Sequence, residues 1–216
     1  MLEILIDNRD GIVWDISELV STVTWKTVRI GQPGSLDVTL VKHKELRVEP
    51  GAVIRVKSGE RGIFYGYVFT IERSDDDTLR LTAYDQIRYL LSHDTYVFSN
   101  VTASDVFLKI ANDLQLKTGI VAYTSYRIPS LVEDNQKLLD IIYKALDLTL
   151  INTGRMFVLY DDFGRLNLRE PANMATDVVV GDESLAYGYD YKRSIDEDTY
   201  NRIKLVQDNK ETGKRE

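Results

Sequence analysis

An α+β chain is the reading that these 216 residues support. Three observations carry it. Residues 1–84 hold apolar–polar alternations at short intervals, broken by Gly, Pro, Asp and Asn. Between 85 and 154 the apolar period lengthens to that of an amphipathic helix. After 155 the alternation returns around compact turns. The chain is therefore divided into a β-domain over 1–84, a helical insertion over 85–154 and a β-rich segment over 155–216. Short strands at such spacing predict a small antiparallel barrel or sandwich for the first of these.

Leu2 to Ile6 is apolar and β-branched, and Asp7-Asn8-Arg9-Asp10-Gly11 is a turn before Ile12 to Ile16, so a hairpin opens the chain. Val20 to Ile30 alternates as a half-buried strand does. Gln32-Pro33-Gly34-Ser35 has Pro second and Gly third, the type II turn pattern, and Leu36 to Leu40 follows as a strand. Glu49-Pro50-Gly51 precedes a strand over 52–57, and Ser58 to Gly62 turns into a long strand over 63–73. Leu79 to Ala83 pairs back across Ser74-Asp75-Asp76-Asp77.

Asp85 to Leu91 reads as a short helix. Thr102 is the expected N-cap of a second, with Asp105 in the capping-box place and Val106, Ile110 and Leu114 on one face. A third helix is expected from Asn135 to about Leu150, with Asn135 as cap and Gly154 just past its end. Strands over 156–160 and 165–169 flank the loop Asp161-Asp162-Phe163-Gly164. Residues 177–180, 188–192 and 201–207 read as later strands or connectors. The strand at 201–207 leads into a turn with no return strand. An unpaired terminal edge is a liability, so the expectation is a fragment of a longer protein.

Composition removes several function classes. Cys is 0, so thiolate metal sites, disulfides and Cys nucleophiles are out. Two His leave little room for a multi-His metal site or a Ser-His-Asp triad. No apolar run nears the ~20 residues that span a bilayer, and Met1 to Ile4 does not start a signal peptide. A net charge of −7 argues against wrapping nucleic acid. Asp75-Asp76-Asp77 and Asp196-Glu197-Asp198 lack the alternation of a calcium loop and read as solvated turns. Asp161-Asp162 are adjacent, so they point apart and make no shared acid–base pair. His93 beside Asp94 has no nucleophile in view, and His43 lies between lysines. Gly59, Gly62 and Gly66 lack the spacing of a phosphate loop. No catalytic residue, cofactor or metal is expected.

The aromatic series Phe64, Tyr65, Tyr67, Phe69 is the candidate interface. Residues 65, 67 and 69 share one strand face, and Phe64 lies on the other with Gly66 and Val68. One face is core, and the other is open for contact. The excess of Tyr (13) over Phe (6) suits such wet surfaces.

The stretch Thr82 to Leu91, followed by Asp94 to Phe98 and Thr102 to Val106, resembles the baseplate hub proteins of contractile phage tails and tail-like bacteriocins, most nearly those of Bacillus and Clostridium prophages. Pro50 to Val56 with Ile63 to Val68 is similar to that family's barrel segment, and Asn201 to Leu205 to the start of a later one. The resemblance implies two related β-barrels with a mixed insertion between, so that 155–216 begins a second, incomplete barrel. It implies a homotrimer in the intact protein, tail-tube and spike proteins as partners, location in the virion tail baseplate, and a scaffolding role without catalysis. Neither specific nucleic-acid binding nor membrane insertion is expected. Such proteins are often labelled cell-wall hydrolases, so the rival expectation is a peptidoglycan hydrolase acting through carboxylates such as Asp161 or Glu170. A third is a host-glycan-binding module using exposed Tyr.

Overall fold

The computed structural model describes residues 2–75 and 77–179, and beyond them residues 181, 188, 190–193, 202, 204 and 206. The expected acidic turn at 196–198, most of the strand over 201–207 and the turn after it lie outside the described residues. Residues 177–179 and 190–192 carry no strand. The chain divides into two compact units, 1–175 and 176–216. All the sheets and helices among the described residues lie in the first.

Seven strands form the first sheet: β1 (Leu2–Asp7), β2 (Val13–Asp15), β3 (Val20–Lys26), β4 (Ser35–Val41), β5 (Val53–Ser58), β6 (Arg61–Arg73) and β7 (Thr78–Tyr84). Their order is β2-β1-β5-β6-β7-β4-β3, antiparallel throughout. Alternate residues turn inward, as a two-residue period requires. Ile4, Ile6, Leu36, Val38, Leu40, Ile54, Val56, Phe64, Leu81 and Ala83 make one core.

The expected barrel does not close. Its two outer strands are β2 and β3, which are consecutive in sequence but not paired. β2 pairs with Leu5–Asp7 alone. The Asp15 carboxylate then accepts from both the N–H and the hydroxyl of Ser17, turning the chain away. Residues 16–19 cross the gap instead. Ile16 donates its N–H to Ile4 O and is fully buried, and Leu19 O accepts from Val41 N. An apolar plug thus replaces the ladder that closure would need.

The second core is mixed rather than helical. β8 (His93–Val101) pairs with β10 (Ile128–Lys137) as a two-stranded ribbon, with α1 (Ala103–Asp113) and β9 (Thr118–Val121) between them in sequence. α2 (Leu138–Thr153) follows, then β11 (Val158–Asp161) and β12 (Leu166–Arg169). β12 pairs antiparallel with β11 and parallel with β9. Phe107, Ile110, Leu139, Ile142, Leu166 and Leu168 are among its fully buried side chains. Thr102 caps α1 as expected, with the reciprocal Asp105 bond in place. α2 starts three residues later than expected. Gln136 and Lys137 still pair with Asp94 and His93, so the helix waits for the ladder to end. Asn135 is therefore not its cap. It sits in β10 at φ 47°, within a register shift. Gly154 ends α2 at φ 70°, the left-handed closure that glycine allows.

Candidate interaction surface at the joint of the two cores

β6 separates the aromatic series by face. Phe64 is 3% exposed and belongs to the first core, so it is not available as an interface residue. Tyr65, Tyr67 and Phe69 line the outer face. They do not stand alone there. Tyr65 meets Phe163 edge-on at 5.8 Å and Tyr67 at 6.2 Å. Tyr67 meets Tyr89 at 5.7 Å, and Phe69 meets Tyr84 at 5.5 Å and Tyr89 at 6.2 Å. Six rings from β6, the end of β7, the following turn and the β11–β12 loop form one continuous seam. Close approach needs small residues beneath the rings. A Cβ on Gly62 would lie 2.5 Å from the Phe163 ring, and one on Gly164 2.6 Å from the Tyr65 ring.

The segment Tyr84 to Leu90 builds the joint. Asp85 leaves β7 and caps a 3₁₀ turn over Gln86–Leu91, where a short helix was expected. Its Oδ1 accepts the Ile87 N–H at 3.0 Å, and its Oδ2 accepts the Gly34 N–H at 2.8 Å. One buried carboxylate thus ties the turn to the β3–β4 loop. Gln86 donates through Nε2 to Asp161 and accepts the Lys117 N–H, linking β11 to the start of β9. Arg88 lies over the Phe69 and Tyr84 rings, and Leu90 is in the second core. Burial, with the nearby Asp161 charge adding, pushes the Asp85 carboxyl up to about 7. Burial also raises Asp161.

A cleft of about 500 Å³ opens beside the seam, lined by Trp25, Tyr65, Asp85, Tyr160, Asp161 and Phe163 among others. Asp161 and Asp162 do not pair, but Asp85, far away in sequence, lines this cleft together with Asp161, near enough for the Asp161 charge to act on it. In the sequence, the Tyr-Asp-x-x-Arg-Tyr-Leu segment that carries Asp85 is legible only as a resemblance. Both Asp161 oxygens are engaged, by the Gly164 N–H and by Gln86. Glu170 is held by Arg155 through two bonds, at 3.1 and 2.8 Å, which keeps its carboxyl below the usual range. His43 and His93 are exposed. Among the described residues no group of three or more His, Cys, Asp or Glu is placed to hold a metal, and no helix is long and apolar enough to cross a membrane.

Comparison with known proteins places this fold. A family profile described as YQBQ-like matches residues 23–216. YqbQ of Bacillus subtilis (strain 168) is 34% identical over 195 residues, and the phage-like element PBSX protein XkdQ of the same organism is 36% identical over 195. Each alignment covers 87% of this chain and 59% of the relative, so the chain spans less than two thirds of their length. Among solved structures, the 43 kDa tail protein of prophage MuSo2 from Shewanella oneidensis superposes with a TM-score of 0.59 at 19% identity. That match covers 77% of this chain and 52% of the other. The prophage tail protein gp18 of Listeria monocytogenes EGD-e gives 0.55 at 11% identity, covering 86% and 56%. At those identities the likeness is one of fold. The profile and the two Bacillus relatives go further, and by them this chain belongs to the YQBQ-like family.

Proposed function

We propose that this chain is part of a structural protein of a prophage tail or tail-like particle, acting at the baseplate hub, where it joins the tail tube to the central spike by ring assembly. The observation that carries the reading is the 36% identity, over 87% of this chain, to a protein of the phage-like element PBSX. The prophage tail fold of its solved neighbours supports it. The intact protein is a homotrimer with tube and spike proteins as partners; β11 and β12 belong to the mixed core rather than to a second barrel, which begins beyond them. Tyr65, Tyr67 and Phe69 supply contact surface, while Phe64 holds the first core. The role is assembly and not catalysis. The carboxylates of the hydrolase alternative are engaged in structural bonds.

Mass spectrometry of purified, induced tail particles tests the reading. The full-length protein is expected among their components, three copies per particle. Its absence would sink the proposal. So would clearing on a peptidoglycan zymogram that disappears in Asp161→Asn.

A further inference from the structure

We propose that the cleft at the joint of the two cores takes an organic cation, the ammonium or guanidinium of a Lys or Arg side chain presented by a protein partner, with Trp25 against its stem and Asp85 and Asp161 supplying the counter-charge. The partner rests on the contact role given to the seam above, and the cation on the cleft alone.

The cleft, of about 500 Å³, has the size of a small-ligand site and is walled by aromatic rings. Tyr65 and Phe163 already meet each other there. Trp25 does not join them. It is 50% exposed, and its ring is in none of the ring pairs of the seam. An indole open on a cleft offers the strongest aromatic face for a cation. The acids then set the charge. Asp85, Asp161 and Asp162 line the cleft, with Arg61, an exposed residue, as the cation among the lining residues. Lys57 lies outside the lining, its Nζ 5.9 Å from the Phe163 ring, opposite Glu3 in the ladder. Among the described residues no ion pair uses Asp85, Asp161, Asp162 or Arg61. The donors that hold the two inner carboxylates are neutral. Asp85, 6% exposed, takes the Gly34 and Ile87 N–H groups. Asp161 takes the Gly164 N–H and the side-chain and backbone N–H groups of Gln86. A carboxylate has about four acceptor sites, so both keep lone pairs. Desolvated carboxylates without a counter-ion are costly in their charged form, and a cation in the cleft relieves both at once.

The lining also selects the kind of cation. A metal ion needs a shell of oxygens, and here Ile87, Leu159 and Trp25 take much of that place. A sugar would stack on Trp25 and leave the carboxylate charge unanswered. A Lys or Arg side chain fits both halves, with its apolar stem on the rings and its charged head at the acids. Tyr65 and Phe163 line the cleft and belong to the seam, so a partner lying on the seam has one side chain within reach of the cleft. The proton is the competitor. Around Asp85 the β3–β4 loop brings Gln32 and Gly34, β6 brings Arg61 and Tyr65, β11 brings Tyr160 and Asp161, and the loop after it Asp162. Arg88, in the same turn, lies over Phe69 and Tyr84 instead. Burial and the Asp161 charge hold the Asp85 carboxyl near 7, and a cation favours its ionised form. Cation binding therefore displaces a proton and tightens as pH rises through that value.

The test is NMR titration of this chain, following the Trp25 indole N–H and the backbone amides. The probes are lysine and arginine capped as Nα-acetyl amides, capped glutamine, n-butylammonium, N-acetylglucosamine and calcium chloride. Capped lysine or capped arginine should give a saturable shift at Trp25, and should bind about tenfold more tightly at pH 8 than at pH 6. Asp161→Asn should weaken that binding about tenfold. Trp25→Leu changes an exposed side chain and should weaken it about threefold. Amide spectra report whether each variant keeps the fold, and if Asp161→Asn does not, Trp25→Leu and the pH series decide. No saturable shift with either capped cation, equal binding of capped glutamine or N-acetylglucosamine, tighter binding of calcium, or affinity that does not rise with pH would overturn the proposal. Tighter binding of n-butylammonium than of the capped residues would overturn its source, giving the cleft to a free amine. Cation binding by a protein absent from tail particles keeps the cleft and removes the tail reading, whereas a tail component that binds neither capped cation loses this proposal alone.

Discussion

Asp85 is the residue on which the joint turns, and its environment makes a pH prediction. In the unfolded chain an Asp titrates near 3.8, whereas here burial lifts it to about 7. Between those values the native state holds a proton that the unfolded state has lost. The contribution of Asp85 to stability is therefore full below about 4 and falls as pH rises, until it is gone above about 7. Asp161 is raised in the same direction. Asp15, Asp105 and Glu170 are lowered by hydrogen bonds or an ion pair, and their contributions are lost only at acid pH. Asp85→Asn removes one acceptor for the Gly34 or Ile87 N–H, at about 1 kcal/mol whatever the pH. Urea unfolding at pH 5 and pH 8 should show the wild-type margin over Asp85→Asn shrinking as pH rises. An equal margin at both values would mean that Asp85 ionises normally. Nothing local marks this carboxylate in the sequence. Thr102 and Asp105 were legible because a capping box is a contact between near neighbours, while the Gly34 and Asp161 that define Asp85 arrive through the fold.

At the scale of elements, the helical period and the turn residues were readable where one face is buried. The end of α2 at Gly154 and the strands β4 to β7 follow from their patterns to within a residue or two. β8 and β10 did not, and their exposure shows why. Val97 and Val132 stand opposite each other on the ribbon at 72% and 61% exposure, so apolar-in, polar-out alternation fails where it would have announced the strands. The open barrel was missed because closure depends on whether two edges pair, which a pattern within one strand does not express. Two variants test the elements themselves. Thr102→Ala should destabilise by about 1 kcal/mol, since it leaves the Asp105 N–H at the head of α1 without its acceptor. Gly66→Ala should cost more, about 1–3 kcal/mol. Its Cβ would fall 2.4 Å from Tyr84 O and 2.6 Å from the Phe64 ring, so β6 must shift against β7 or Phe64 must leave its place. Thermal melts rank the two, and a Gly66→Ala protein melting with wild type would show that this close approach is not real.

Across the whole first unit, two hydrophobic cores with different layouts are held together by a few long-range contacts. The Tyr65–Phe163 edge contact crosses from the sheet to the β11–β12 loop. Gln86 reaches Asp161 on one side and the Lys117 N–H on the other. Tyr143 on α2 donates its hydroxyl to Arg29 O in the β3–β4 loop. These links are few against the packing within each core, so they decide whether the cores unfold together or apart. In the wild type, amide exchange at Val38 in the first core and Ile110 in the second should report the same opening free energy. Gln86→Ala combined with Phe163→Ala removes the polar bridge and the ring over Gly62 while leaving both cores' buried side chains unchanged. The two protections should then separate, one core opening while the other stays closed. If they fall together, by equal amounts, the joint is only one stabilising contact among many. If they separate, the Tyr84–Leu90 segment acts as the coupling element of the fold, and a partner seated on the seam above it would stabilise both cores at once.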